Sequence, residues 1–122
     1  MIEPWATTWS KFIYTRLHHE PFQMDVAEWE FPSSGPLSSA NGALPWIIFE
    51  RDRAHFEREF PEWTIQAVEL LMPFRYLVSG GVSMRSLMPG WSFGVWWLLE
   101  RGLTPWLPQL AMFALITLRR GD

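Results

Sequence analysis

Cysteine is absent from the 122 residues. That excludes disulfides, thiol nucleophiles and thiolate-held metals, and it suits a reducing, cytoplasmic setting. A basic excess is missing too. Ten Lys and Arg against thirteen Asp and Glu leave a net charge of −3, so no general positive field gathers nucleic acid, which is not expected as a partner. The start lacks a basic region followed by an apolar core and a small-residue cleavage site, so no secretory signal is expected. Long hydrophobic runs are also lacking. The best window, Leu103–Leu118, has 16 uncharged residues, short of the roughly 20 that a spanning helix needs. Pro105 and Pro108 interrupt it, and Glu100 and Arg101 close it upstream. A span is not expected. A segment lying on a membrane surface is the lesser alternative.

Aromatic residues are plentiful: nine Trp and nine Phe, with ten Pro cutting the chain into short pieces. Aromatics supply large buried area, and Trp adds a polar handle that suits binding surfaces. Packing in core and loops is the first expectation, and binding the second.

Five prolines punctuate residues 3–46, and little there is periodic. Trp9, Phe12, Ile13 and Leu17 have helical spacing, which predicts a helix over 8–17. The stretch "FPSSGPLSSANGALPW" (31–46) has loop composition and is flanked by Trp29 and Trp46, which favours an ordered cover. A helix is predicted over 49–61, with Ala54, Phe56 and Phe60 facing a core, its alternating charges solvated, and Pro61 at its end. In "WTIQAVELL" (63–71), Trp63, Ile65 and Ala67 alternate with Thr64 and Gln66, as in a strand. "FRYLVSGG" (74–81) reads as a short piece ended by a glycine pair. "SFGVWWLLERG" (92–102) reads as a helix with Ser92 as N-cap and Gly102 past its end. Its Trp96–Trp97 and Leu98–Leu99 are expected to cover the core, with one Trp left for a ligand or membrane.

The last predicted element is a strand over 109–119. Leu110, Met112, Ala114, Ile116 and Leu118 share one face, and Ala111, Phe113 and Leu115 the other. Both faces are apolar, which predicts a central strand buried on both sides. Such a strand needs a neighbour on each edge. The strand at 63–71 supplies one, and Met1–Glu3 is the other candidate.

This order of elements resembles the C-terminal part of a class I S-adenosylmethionine-dependent methyltransferase. "MIEP" looks like the tail of the fifth strand, "WTIQAVELL" like the sixth and "QLAMFALITLRR" like the seventh. "FIYTRLHHEPF", "SSGPLSSANGALPWIIFERD" and "FRYLVSGGVS" resemble a bacterial subfamily described as type 11. The resemblance implies an α/β fold, a truncated Rossmann-like domain in which strands 63–71 and 109–119 form an antiparallel pair with flanking helices. Residues 1–122 are then a single partial domain: a strand end at 1–3, an insert at 4–48, the helix 49–61, the strand 63–71, a helical insert at 74–108 and the strand 109–119. The family's last strand lies beside the fifth. Its cofactor signature is a glycine-rich turn after the first strand, and this chain has no G-x-G-x-x-G. S-adenosylmethionine is therefore expected to bind an N-terminal half that precedes this sequence, with no cofactor held by this chain alone. Met1 is then expected to be an internal methionine. Instability and an aggregation-prone edge beside the last strand are expected of the isolated piece.

Methyl transfer is displacement at an already activated sulfonium carbon. The enzyme mainly aligns the acceptor and sometimes removes its proton. Acceptor binding by this half is what the resemblance implies, since ligands of open α/β sheets sit beyond the strands' carboxyl ends. Glu3 and Trp5 fall there, and Glu3 suits a hydroxyl or amine of a small-molecule acceptor, unless it is an ordinary solvated strand end. His18, His19 and Glu20 form the best polar cluster. A histidine near its free pKa can act as a base with a carboxylate orienting it, or the three can simply anchor a loop. Adjacent histidines diverge and chelate metal poorly, so no metal is expected. Arg75 and Tyr76 can hold an anionic acceptor group, or close a salt bridge and pack a helix. Asn41–Gly42 is first of all turn chemistry. The rival reading is a small non-enzymatic protein that associates with a membrane or a partner through its aromatic inserts. It predicts an outward apolar face on 92–118.

Overall fold

The computed structural model describes residues 1–17, 21–29, 40–81 and 85–121. Three strands form one sheet: β1 (Ile2–Pro4), β2 (Trp63–Leu71) and β3 (Phe113–Arg120). Their order is β1-β3-β2, and both pairings are antiparallel. The last strand is therefore central, as its two apolar faces predict. β1 meets it through Ile2–Leu115, Glu3–Ala114 and Pro4–Phe113. Met1 adds two bonds, its amino group donating to the Ile116 carbonyl and its carbonyl accepting the Ile116 N–H, each at 2.8 Å. β1 and β2 run the same way, so their carboxyl ends lie together beside Phe113.

The strand begins later than 109. Residues Leu107–Leu110 form a short helical turn (α6 below) with Pro108 near its start, where a missing N–H costs nothing. Ala111 then turns the chain into extended geometry. The expected alternation of Trp63, Ile65 and Ala67 also breaks. Ile65 faces Leu118 and Ala67 faces Thr117, so Gln66 is an extra, bulged residue. Beyond the bulge Val68 and Leu70 turn to the face of Ile65.

That face carries the main core. Ala114, Ile116 and Ile65 pack against Trp5, Phe49 and Phe56. The helices over it are α2 (Leu44–Trp46), which widens into a π-type turn over Ile47–Arg51, and α3 (Arg53–Glu59). Phe56 is buried as expected. Ala54 and Phe60 are exposed, because α3 ends at Glu59 and presents one apolar position to the sheet.

Among the described residues the opposite face is covered at one end only. There α1 (Thr8–Arg16) brings Ile13 and Tyr14 onto Met112, with Phe113, Tyr76 and Leu77 around them. Thr7 caps α1 by accepting from the Ser10 N–H at 3.1 Å, while Ser10 Oγ accepts from the Thr7 N–H at 2.7 Å. Of the residues at helical spacing, Ile13 is buried while Phe12 and Leu17 are exposed. Along β3 the covering layer stops near Phe113, so Leu115 and Thr117 are half-buried. Burial on both sides thus holds for the start of the strand and fails beyond it.

Two further helices follow β2: α4 (Arg75–Val78) and α5 (Phe93–Gly102), before α6 (Leu107–Leu110). Ser92 precedes α5 but makes no cap bond. Its hydroxyl donates to the Pro89 carbonyl at 2.8 Å, and Gly102 lies within the helix. Leu98 and Leu99, expected over the core, are exposed together with Trp97. α5 is held to the sheet end by a polar tether, so its apolar side chains point outward.

Candidate functional site

β1 ends at Pro4, whose fixed φ and missing N–H stop the ladder. The Trp5 N–H then donates to the Met112 carbonyl at 2.9 Å and turns the chain toward α1. Two cavities open around this strand end and share Pro4 and Gly42. The smaller, about 200 Å³, is walled by Tyr14, Phe22, Tyr76 and Phe113. The larger, about 380 Å³, runs over Glu3 and Asn41 toward Leu44, Ile48 and Phe49. Together they form an aromatic and aliphatic cleft at the carboxyl end of β1.

Each wall is fixed by identifiable bonds. Tyr14 stacks on Phe22 at 4.6 Å and donates its hydroxyl to the Met112 carbonyl at 2.9 Å. Tyr76 meets Phe113 edge-on at 4.8 Å. Gly81 donates its N–H to the Tyr76 carbonyl at 2.9 Å. A Cβ at Gly81 would come within 2.5 Å of that oxygen and 2.7 Å of the ring, so only glycine fits. Gly80 before it has a φ of 100°, the left-handed geometry that ends a helix. Asn41 fastens the insert. Its Oδ1 accepts from the Gln23 and Ala43 N–H groups at 2.8 and 3.1 Å, and its Nδ2 donates to the Gln23 carbonyl at 2.6 Å.

The segment 21–29, which brings Phe22 to the cleft, is clamped from outside. Arg51 donates to the Met24 and Val26 carbonyls at 2.7 and 2.9 Å and forks onto Asp52 at 2.8 and 2.7 Å. The Trp29 indole donates to Asp52 at 2.9 Å. The Arg51 hydrogen bond, helped by Trp29, pulls the Asp52 carboxyl from 3.8 down to about 2 against the opposing effect of burial. The Arg51 guanidinium is raised in turn by the Asp52 hydrogen bond.

The residues singled out from sequence fall in different places. Glu3 is half-buried on the floor of the larger cavity, and Tyr76 walls the smaller. Trp5 is buried in the main core and touches a separate groove beside Trp46, Glu50 and Arg53. Arg75 lies away from the cleft and is engaged by Glu100. That carboxylate is 6 % exposed, takes the Phe74 and Arg75 backbone N–H groups at 3.0 and 2.7 Å, and pairs with the Arg75 Nε. The salt-bridge alternative for Arg75 is the one seen. His18, His19 and Glu20 lie outside the described residues. Pro21, next in the chain, lines the smaller cavity.

Tyr14 and Phe22 carry no signal in the sequence beyond an aromatic at an unremarkable spacing, and Phe113 reads there only as an apolar strand position. Among the described residues no cluster of three or more His, Cys, Asp or Glu is placed to hold a metal ion, and no helix is long and apolar enough to cross a membrane. The cleft offers aromatic walls that suit a flat or apolar body, and one carboxylate that can accept a hydrogen bond. No family model, curated protein or solved structure matches this chain.

Proposed function

We propose that this chain is the C-terminal, acceptor-binding portion of a class I S-adenosylmethionine-dependent methyltransferase. The observation that carries the reading is the strand order β1-β3-β2, with the last strand antiparallel between the other two. It is the arrangement expected if these are a fifth, seventh and sixth strand. In this reading the cofactor binds an N-terminal half, and the chain alone is inactive. The acceptor is a small, largely apolar or aromatic molecule bearing a hydroxyl or amine. Its body lies between Phe22, Tyr76 and Phe113, and its polar group faces Glu3. S-adenosylmethionine bound by the N-terminal half would supply an activated methyl group, and this chain's part would be to align the acceptor and take up its proton. Glu3 orients that polar group, and His18, His19 and Glu20 are the candidates for the base. The setting is cytoplasmic, in keeping with the lack of cysteine.

Calorimetric titration of S-adenosylmethionine tests the reading, using this chain and a version extended through the upstream coding sequence. Heat of binding is expected from the extended chain only. Binding by the short chain would show that the cofactor site has been assigned wrongly, and binding by neither would sink the methyltransferase reading. The rival, a non-enzymatic protein that docks through its aromatic inserts, draws support from the outward apolar side chains of 93–106, while Ala111, Met112, Ala114 and Ile116 are buried and do not extend that face to 118.

A further inference from the structure

α5 is apolar around nearly its whole circumference, a pattern found in helices buried in a core or in contact with lipid. Here most of it is open. Leu98 is 65 % exposed and Leu99 55 %, and Trp91 and Trp106, which flank the helix, are 81 % and 61 % exposed. Of the nine tryptophans, the exposed ones are Trp91, Trp97 and Trp106, all gathered in this stretch.

Charge gives the occupant. Across residues 85–110 Glu100 is the sole carboxylate, and it is buried and spent on Arg75 and two backbone N–H groups. Arg85 and Arg101 are exposed, and Arg101 lies 5.1 Å over the Trp97 ring. In a chain of net charge −3, this stretch thus exposes Trp and Leu with arginine beside them and carries no accessible carboxylate of its own. A ten-residue helix is about 15 Å long, half of what crosses the hydrocarbon core, and suits lying in the headgroup region. Tryptophan favours that depth, and arginine favours anionic headgroups.

We infer that the surface formed by α5 and its flanking turns docks on an anionic phospholipid bilayer, lying in the interface without crossing it. This does not depend on the methyltransferase reading.

The test is co-sedimentation of the 122-residue chain with two kinds of vesicle, phosphatidylcholine alone and phosphatidylcholine mixed with phosphatidylglycerol. Tryptophan emission is followed in parallel. Binding to the mixed vesicles with a blue shift is expected, weaker by about tenfold or more on the neutral ones. Leu98→Ser with Leu99→Ser should weaken binding by at least about tenfold. Phe12→Ser, on exposed apolar surface of α1, should leave it unchanged. Circular dichroism checks that each variant is folded. Absence of binding by the folded chain would overturn the inference. Equal loss from Phe12→Ser would overturn it too. So would a dimer in sedimentation velocity that the Leu98 and Leu99 substitutions dissolve while vesicles stay unbound, since a second copy would then be the occupant.

Discussion

Replacing Glu100 by alanine removes the acceptor of three hydrogen bonds at once. The Phe74 and Arg75 backbone N–H groups lose their partner in a part-buried site, at about 1 kcal/mol each at the low end for an unsatisfied donor. The Arg75 guanidinium loses its counter-ion. Breaking a fully buried pair costs about 3–5 kcal/mol, but the Arg75 side chain is 21 % exposed and water takes over part of the loss, so about 1 kcal/mol is the prudent share. The expected destabilisation is about 3 kcal/mol, or a melting point lower by about 12 °C for a chain of this length. Glu100→Gln keeps an oxygen for the two N–H groups but loses the charge and the acceptor of the Arg75 Nε–H, so about 1 kcal/mol is expected. Urea unfolding followed by tryptophan fluorescence measures both. If alanine costs less than about 1 kcal/mol, or if glutamine costs as much as alanine, the tether does not hold α5 as described.

Three other outcomes are expected. Ile116→Ala empties a fully buried position at the centre of the sheet and should cost about 3 kcal/mol in the same urea assay. Gly81→Ala should push the Tyr76 ring off its place against Phe113 and weaken binding of aromatic probes in the cleft, read by ligand-observed NMR, more than it lowers the urea midpoint. Asp52 has a folded pKa below its ordinary 3.8, at about 2. Its contribution is therefore complete above about 4 and is lost as pH falls toward 2. Between pH 4 and 2 the wild type should lose more stability than Asp52→Asn, measured by thermal melts at each pH.

The strand 63–71 was legible in its bounds because Trp63, Ile65 and Ala67 alternate with Thr64 and Gln66, and Pro61 and Pro73 stand on either side. The central position of β3 was legible for a related reason: Ala114 and Ile116 on one face, and Phe113 and Leu115 on the other, are all apolar. Pattern alone could not say how much of each face is covered, because a helix such as α1 packs over a length set by its own two or three core residues. The bulge at Gln66 was hidden as well. It is one polar residue among alternating ones, and only the partner strand's register exposes it. The outward face of α5 was not legible, because Phe93, Val95, Trp96, Trp97, Leu98 and Leu99 fit a buried helix as well as an exposed one. What turns it outward is Glu100, a carboxylate whose partners lie 25 and 26 residues away. In the cleft, Glu3 is legible from its place at a strand end, and Tyr76 only as the partner of Arg75 in a pair suited to an anionic group. Tyr14 and Phe22 needed the fold of the insert.

The pairing of Met1–Pro4 with β3 has a consequence for how the molecule reaches its native state. Its contacts join residues more than 100 positions apart, and β3, the strand that both others require, lies near the end of the chain. Local contacts can raise α1 or α3 early, but no sheet can form until residues 113–120 arrive. The closure entropy is therefore met before any ladder bond rewards it, and relative contact order is high for so small a chain. During synthesis β1 and β2 leave the ribosome without their common partner, with Trp63, Ile65 and Leu70 uncovered. Folding is expected to be late and slow, and most vulnerable to aggregation in the interval before β3 is released.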